Sequence, residues 1–219
     1  SFLLLATALF MYVGAELSVG KWVVTFMERD PRILASHGLT TERVASIANM
    51  SPEMLSRFFE KDTTGYAIAG YALTTLTLFA MALLVGRFVS SFLLGVLQVN
   101  SYVLITFGSL LTTIALIVAF TTNSSTTVRI GLIAAGFGMG PTFPTSVGLA
   151  SVMMPRIAGT AMSLVMGVGF AGSLVIPPAV GYISSAVGGV AGDVRSGLIV
   201  VIAASVLMLI LHLLLMLRE

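Results

Sequence analysis

Six apolar stretches of membrane-spanning length, separated by shorter polar segments, take up most of this chain. A helix needs about 20 apolar residues to cross the hydrocarbon layer of a bilayer, and backbone at that depth must satisfy its own hydrogen bonds. The pattern therefore predicts an all-α membrane protein that folds as a single six-helix transmembrane bundle over residues 1–219. The predicted spans are residues 2–26, 67–92, 102–120, 130–153, 157–186 and 194–217.

Two of these spans carry helix-breaking residues. In the fourth span Gly140 and Pro141 are followed by Pro144, and in the fifth span Pro177 and Pro178 are adjacent. Because proline lacks the backbone N–H that a helix interior needs, we expect both helices to be kinked or locally unwound at these positions.

The connection of residues 28–64 differs from the other loops because it holds more than half of the charged residues. We predict an extramembrane segment with two short amphipathic helices, one over residues 41–49 and one from an N-cap at Ser51 to Phe59. The second helix gathers its apolar side chains on one side. It is expected either to pack on the protein's own helices, lying flat on the headgroups, or to dock a partner.

Composition supports a membrane protein and narrows the function. Hydrophobic residues make up 57% of the chain and charged residues 9%, with a mean hydropathy of +1.05. Ordinary globular proteins carry about 25% charged residues, so the lipid bilayer is the predicted environment and partner. The net charge of +2 is too small to predict a nucleic-acid partner, and the absence of cysteine excludes disulfides and thiolate chemistry from the chain.

Glu16 interrupts the first apolar stretch and is the strongest candidate for function. A carboxylate at mid-helix is costly in lipid and is expected to face protein or water. Tyr12 lies one turn earlier on the same side of the helix. We expect these two residues to handle a solute or a proton; the alternative is a static, hydrogen-bonded core acid. Trp22, near the end of the span, is predicted to be an interfacial anchor or a surface on which a sugar ring stacks.

Hydroxyl side chains follow the break in the fourth span. Thr142, Thr145 and Ser146 either line a cavity at membrane depth or lie beside a kink that serves only packing. The two alternatives are equally supported by the sequence.

Small residues recur in the fifth span at a spacing of four. Gly159, Gly167 and Gly169 begin three such pairs, which allow another helix to approach closely. We predict a packing role, with a part in gating motion second. Arg87 is predicted at the end of the second span, as a snorkelling anchor or a helix-end ion pair.

The sequence predicts no enzyme, no metal site and no cofactor. His37 falls in the charged connection, and His212 falls on a leucine-rich, lipid-like face of the last span, each without companions at ligand spacing. No nucleophile, base and acid occur together at membrane depth, and the glycines of the fourth span do not follow a strand as a phosphate-binding loop requires.

Three segments together resemble the carboxy-terminal half of a major facilitator superfamily transporter, nearest to the sugar-type branch with the fucose permeases. Residues 12–20 with Trp22 are similar to the seventh helix of those proteins, and residues 86–88 to the end of the eighth. Residues 136–150 and 156–163 are similar to the tenth helix and the start of the eleventh.

The resemblance implies a bundle that closes against a second six-helix half, with a small, sugar-like solute held between the halves near the midplane and driven by a coupled ion. It also implies a conformational latch at Arg87 and a multi-pass protein of a bacterial inner membrane. Because the chain starts with serine and without a basic leader, we expect it to begin partway through a longer protein, so that an amino-terminal half or other membrane subunits are the expected partners.

Two departures from the family pattern support an alternative function. Residues 90–101 carry no basic side chain after Arg87, and the charged connection is unusually large. The alternative is a structural or docking subunit that keeps the transporter fold without transporting. The side on which Ser1 lies stays open, because the loop charges favour the outside and the family analogy favours the inside.

Overall fold

The computed structural model describes residues 1–48, 50, 52–188 and 193–218, and all regular structure in these ranges is helical, as predicted. The elements are α1 (Phe2–Arg29), α2 (Pro31–Ser36), α3 (Thr41–Ala48), α4 (Pro52–Lys61), α5 (Thr63–Gly95), α6 (Ser101–Thr121), α7 (Ser125–Met139), α8 (Thr142–Met153), a 3₁₀ turn (Pro155–Ile157), α9 (Ala158–Gly188) and α10 (Val194–Met216). Five of them, α1, α5, α6, α9 and α10, are long and apolar enough to cross a membrane.

The fourth predicted span, residues 130–153, is not one helix, so six single spanning helices are not found. The chain breaks into α7 and α8 at Gly140 and Pro141, although both residues keep right-handed helical dihedral angles. Pro141 has no N–H for the carbonyl of Phe137, which instead accepts a tighter bond from the N–H of Gly140 at 3.2 Å. Pro144 likewise has no N–H to donate one turn back. The break therefore follows from two prolines at a spacing of three.

The fifth span behaves differently. α9 runs without interruption through Pro177 and Pro178, so the local unwinding expected there is not found.

The charged connection is mostly helical, and the two predicted short helices correspond to α3 and α4. α1 continues to Arg29, α5 begins at Thr63, and α2 was not predicted. The helices of this segment share a small apolar core with the start of α5, formed by Leu34, Leu39, Val44, Ile47, Leu55 and Ile68. α4 thus packs on the protein's own helices, which was one of the two alternatives for it in the sequence analysis. The predicted N-cap at Ser51 and the predicted helix end at Asn49 lie outside the described residues.

α1 lies at the centre of the bundle. It packs against α9 and α10, and also against α5 and α8. α10 packs against α6, which packs against α7. α7 in turn packs against both α5 and α6. The helix that precedes the break is therefore wedged between the two helices that come before it in the chain.

Glycines make this wedge possible. A Cβ added at Gly136 would lie 2.5 Å from the carbonyl oxygen of Phe79 in α5, and one at Gly140 would lie 2.6 Å from the Cα of Gly86. On the other side of α7, a Cβ at Gly138 would lie 2.7 Å from the carbonyl oxygen of Gly108 in α6. The glycines that looked like a locally unwound segment are contact points of helix against helix.

A buried ion pair fixes the end of the bundle that carries the short helices. Asp30 begins α2 by accepting the backbone N–H of Arg32 and Ile33, and its carboxylate also pairs with Arg195 of α10 at 2.6 Å and 3.2 Å. The same guanidinium donates to the last carbonyls of α6, at Phe120 and Thr121. One side chain thus joins the ends of three elements, and both charges have hydrogen-bond partners, as burial requires.

The glycine wedge predicts opposite effects for the same substitution at two sites. We expect Gly136→Ala to destabilise the protein by about 1–3 kcal/mol, because the methyl group overpacks the α5–α7 contact. Gly70→Ala, at an exposed position two turns into α5 with nothing within 4 Å of the added Cβ, should be neutral or stabilising by up to about 1 kcal/mol. Thermal unfolding in detergent measures both. Equal effects of the two variants would contradict the wedge.

Candidate functional site

Glu16 and Arg87 form an ion pair between α1 and α5. The closest approach is 3.6 Å, from the terminal guanidinium nitrogen Nη2 to Oε1, and the side chains are 22% and 41% exposed, respectively. Glu16 lies midway along α1. Arg87 does not end its helix as predicted, because α5 runs on for two turns to Gly95. Glu16 therefore has a cationic partner, Arg87, which the sequence analysis predicted at a helix end.

Two backbone contacts hold the pair in place. Gly86 packs against the carbonyl of Phe137 and against Gly140, so that α5 touches the helix break directly before Arg87. On α1, Gly14 packs against the side chain of Ile176 in α9. Any side chain at Gly86 or Gly14 would collide with these neighbours. Close packing therefore sets the height and the direction of Glu16 and Arg87 on their helices.

Tyr12 lies beside the ion pair. Its ring is fully buried, with its centroid 6.4 Å from that of Phe143 in α8. The hydroxyl is close enough to interact with both Glu16 and Arg87, but it has no direct hydrogen-bond partner among the described residues. The structure thus brings Tyr12 and Glu16 together, as the helical spacing predicted.

One strip of α1 is not covered by the rest of the bundle. We call it the α1 strip and define it as Glu16, Leu17, Gly20, Lys21 and Val24, which are partly or fully exposed. A Cβ added at Gly20 would meet nothing within 4 Å. Two charges on one uncovered face of a spanning helix are unusual, since such residues face a bundle interior, water or another protein.

The three predicted hydroxyl residues of α8 point into the bundle. Thr142, Thr145 and Ser146 are buried, and none of their hydroxyls has a hydrogen-bond partner among the described residues. Buried polar groups are nearly always satisfied by protein or by ordered water. The hydroxyls of α8 are therefore exceptions among the described residues, and each carries an unmet desolvation cost in this arrangement.

Trp22 has a packing role that the sequence did not predict. Its indole N–H donates to the carbonyl oxygen of Pro177 in α9 at 3.1 Å. The indole ring also lies against Gly181, where an added Cβ would be 3.0 Å from it. Trp22 thus links α1 to the proline pair of α9.

Of the three glycines predicted to serve packing, only Gly169 lies against another helix among the described residues. An added Cβ there would lie 3.0 Å from Leu9 of α1, whereas Gly159 and Gly167 have nothing within 4 Å. The predicted close approach of a neighbouring helix is therefore absent at those two positions. Gly172, which the sequence analysis did not single out, also lies against α1, with no room for a Cβ beside the carbonyl of Phe10.

The two histidines are placed differently from one another. His212 is fully buried between α10 and α6, with Thr106 donating to its backbone carbonyl at 3.3 Å, which corrects its predicted lipid-facing position. His37 ends α2 and packs edge-on against Tyr71 at 5.2 Å. Burial, and then the positive charge of Arg129, lower the pKa of His37. Arg129 itself stacks on Tyr71 at 3.3 Å.

One cleft lies elsewhere, between α5 and α6 at the helix break. It has a volume of about 230 Å³ and is lined mostly by apolar side chains and glycines; neither Glu16 nor Arg87 lines it. Exposed apolar residues such as Phe88, Phe92 and Phe107 lie on the same two helices, as is expected for surface in contact with the bilayer.

Within the described ranges no three side chains of metal-binding type lie close enough to hold a metal ion. The site thus consists of one ion pair, one buried phenol, the α1 strip and the inward hydroxyls of α8.

Comparison of the chain with protein-family models, with curated proteins and with solved structures finds no match.

The unpaired hydroxyls lead to a testable difference between two buried threonines. We expect Thr145→Val to raise the melting temperature, because it removes a buried hydroxyl whose unmet desolvation costs about 1–3 kcal/mol. Thr113→Val should lower it, since that hydroxyl lies within hydrogen-bond distance of the carbonyls of Ser109 and Ser205 and can donate to either. Thermal unfolding without added solute compares the two. An equal loss for both variants would mean that a tightly bound water satisfies Thr145.

Proposed function

We propose that this chain is half of a secondary active transporter, in which the α1 strip and the Glu16–Arg87 pair form part of the path of a small polar solute. The observation that carries the proposal is a charged strip, at mid-span, that its own bundle leaves uncovered. A second six-helix half closing over this strip would complete the path, as the family resemblance implies. The resemblance also supports a sugar-like solute and a bacterial inner membrane.

The energetic argument starts from the cost of charge in lipid. Translocon-based scales put an arginine, lysine or aspartate at a helix centre at about 2.5–3.5 kcal/mol, and other treatments give more. Glu16, Lys21 and Arg87 would together be costly if acyl chains covered them, even with one ion pair formed. A water-filled path or a second protein surface removes that cost, and both are consistent with a transporter half.

In the proposed cycle, Glu16 handles the coupling proton and Arg87 is its partner. Both side chains are partly exposed and held at 3.6 Å, so the contact is long enough to be exchanged for one with water or solute. The pair lies beside the break between α7 and α8. There the carbonyl of Gly140 accepts no bond from position 144, because Pro144 has no N–H. The ion pair and the carbonyl of Gly140 are thus neighbouring polar groups that can exchange partners with water or solute.

The docking alternative has its own supporting observation. Gly159 and Gly167 face outward from α9 without a neighbour, and glycines on an open spanning face favour contact with a further helix. A subunit that docks through α9 and buries the α1 strip against a partner protein would satisfy the same charges. The two functions differ in whether water reaches the strip.

Water access can be measured by thiol labelling, since the chain has no cysteine of its own. Leu17 on the strip and Leu207 on α10 are 37% and 39% exposed, which makes them a matched pair. We expect Leu17→Cys to react in native membranes with a charged, impermeant methanethiosulfonate reagent, and Leu207→Cys to resist it. An unreactive Leu17→Cys would reject the water-filled path and favour docking.

The role of the acid is tested by uptake into proteoliposomes holding the full-length protein. Under an imposed proton gradient, we expect Glu16→Gln to lose net accumulation of a labelled sugar or sugar acid but to keep solute exchange, because only coupling needs the proton. Glu28→Gln, near the end of the same helix, is the control and should behave as wild type. Unchanged accumulation in Glu16→Gln would remove Glu16 from the coupling step.

A further inference from the structure

We propose that the solute recognised at the α1 strip carries a single carboxylate, which Arg87 binds and Lys21 attracts. The inference rests on the proposed function and names the substrate class of that site. It is carried by the unused hydrogen-bonding capacity of Arg87 and by the balance of charge on the uncovered face.

Arg87 has donors to spare. A guanidinium presents five N–H donors, yet no hydrogen bond donated by this side chain is found within the described ranges, and its Nε is buried without a partner. Its contact with Glu16, at 3.6 Å, exceeds the 2.7–2.9 Å of a charge-assisted hydrogen bond. Arg195, by contrast, uses Nε and both terminal nitrogens. Arg87 is thus placed like a ligand-binding arginine rather than a structural one.

The charges on this face do not balance. Lys21 is exposed and makes no ion pair with any described residue. It lies five residues beyond Glu16, about 7.5 Å along the helix axis. The α1 strip and the neighbouring Arg87 thus carry two cations and one acid, and the predicted spans contain no other aspartate or glutamate. One positive charge is therefore left over at membrane depth, where a solute with one negative charge would neutralise it.

The geometry of the donor group selects the anion. The planar fork of a guanidinium matches two oxygens of a carboxylate in one plane, and a doubly charged phosphate would exceed the single positive charge available. A neutral solute would leave that charge without a partner whenever the site closes and excludes water. A small monocarboxylate is the class that meets both conditions.

Binding of such a solute changes the partners within the site. The carboxylate of the solute binds the guanidinium of Arg87 in place of Glu16, and the positive charge of Lys21 on the same strip attracts the anion. The Tyr12 hydroxyl, which lies beside both charges without a direct hydrogen bond, is placed to bond either carboxylate. No covalent bond forms or breaks.

The test compares solutes that differ in charge but share a carbon skeleton. The probes are glucose with glucuronate, galactose with galacturonate, and glycerol with glycerate, each offered to proteoliposomes of the full-length protein and, separately, to detergent-solubilised protein in thermal unfolding. We expect at least one acid to be accumulated and to raise the melting temperature, with its neutral counterpart doing neither.

Two variants separate binding by Arg87 from a structural role. Arg87→Lys keeps the charge but loses the fork, and we expect it to raise KM for the acid roughly 10- to 100-fold with a smaller change in kcat. Lys21→Gln should raise KM by a smaller factor. Arg57→Gln, an exposed charge on α4, is the control and should leave KM unchanged.

The outcomes divide cleanly. Uptake of the neutral members in preference to the acids would overturn the carboxylate proposal and leave the transporter proposal standing. Normal KM for an acid in Arg87→Lys would overturn the role of Arg87. Absence of both uptake and thermal stabilisation for all six probes, with the strip inaccessible to thiol reagents, would reject both proposals together.

Discussion

The contact between Gly86 and Gly140 is the constraint on which the centre of the molecule depends. Here the backbone of α5 meets the backbone of the broken helix, with no side chain between them. Because the contact fixes the depth of α5 against α7, it places the next residue, Arg87, at the level of Glu16 on α1. A spanning helix can carry an arginine only where protein, water or a counter-charge meets it. The glycine contact and the ion pair are therefore parts of one arrangement.

Two ion pairs in this bundle show how the same chemistry serves different ends. Asp30 and Arg195 are nearly buried, joined at 2.6 Å, and further bonded to backbone groups of α2 and α6. Breaking such a pair leaves an uncompensated charge, at a cost of about 3–5 kcal/mol. Glu16 and Arg87 are longer, more exposed and poorer in hydrogen bonds. The first pair holds one end of the bundle together, whereas the second leaves hydrogen-bond donors of Arg87 unused.

The sequence predicted the helices well and their contacts poorly, for physical reasons. Hydrophobic length alone defines a span, so the apolar helices and the break at Pro141 were within reach, as was the facing of Tyr12 and Glu16. The pairing of Glu16 with Arg87 joins residues far apart in the chain and depends on how α5 is seated. His212 was misplaced because a leucine-rich surround looks the same whether lipid or α6 covers it. Which glycines meet a neighbour, Gly169 and Gly172 but not Gly159, depends on the tilt of α9, which spacing does not define.

The break at Gly140 and Pro141 also separates two helices whose contacts differ. α7 is wedged by glycine contacts against α5 and α6, whereas the buried side of α8 carries hydroxyls that have no partner in this arrangement. Under the proposed function, these hydroxyls and the α1 strip serve the same solute only if α8 shifts relative to α1. Two prolines remove backbone hydrogen bonds at the junction, so such a shift would not have to break an intact helix. In that case the unpaired hydroxyls would find partners in a second arrangement of α8. The long Glu16–Arg87 contact would be the exchangeable contact on α1 that corresponds to them.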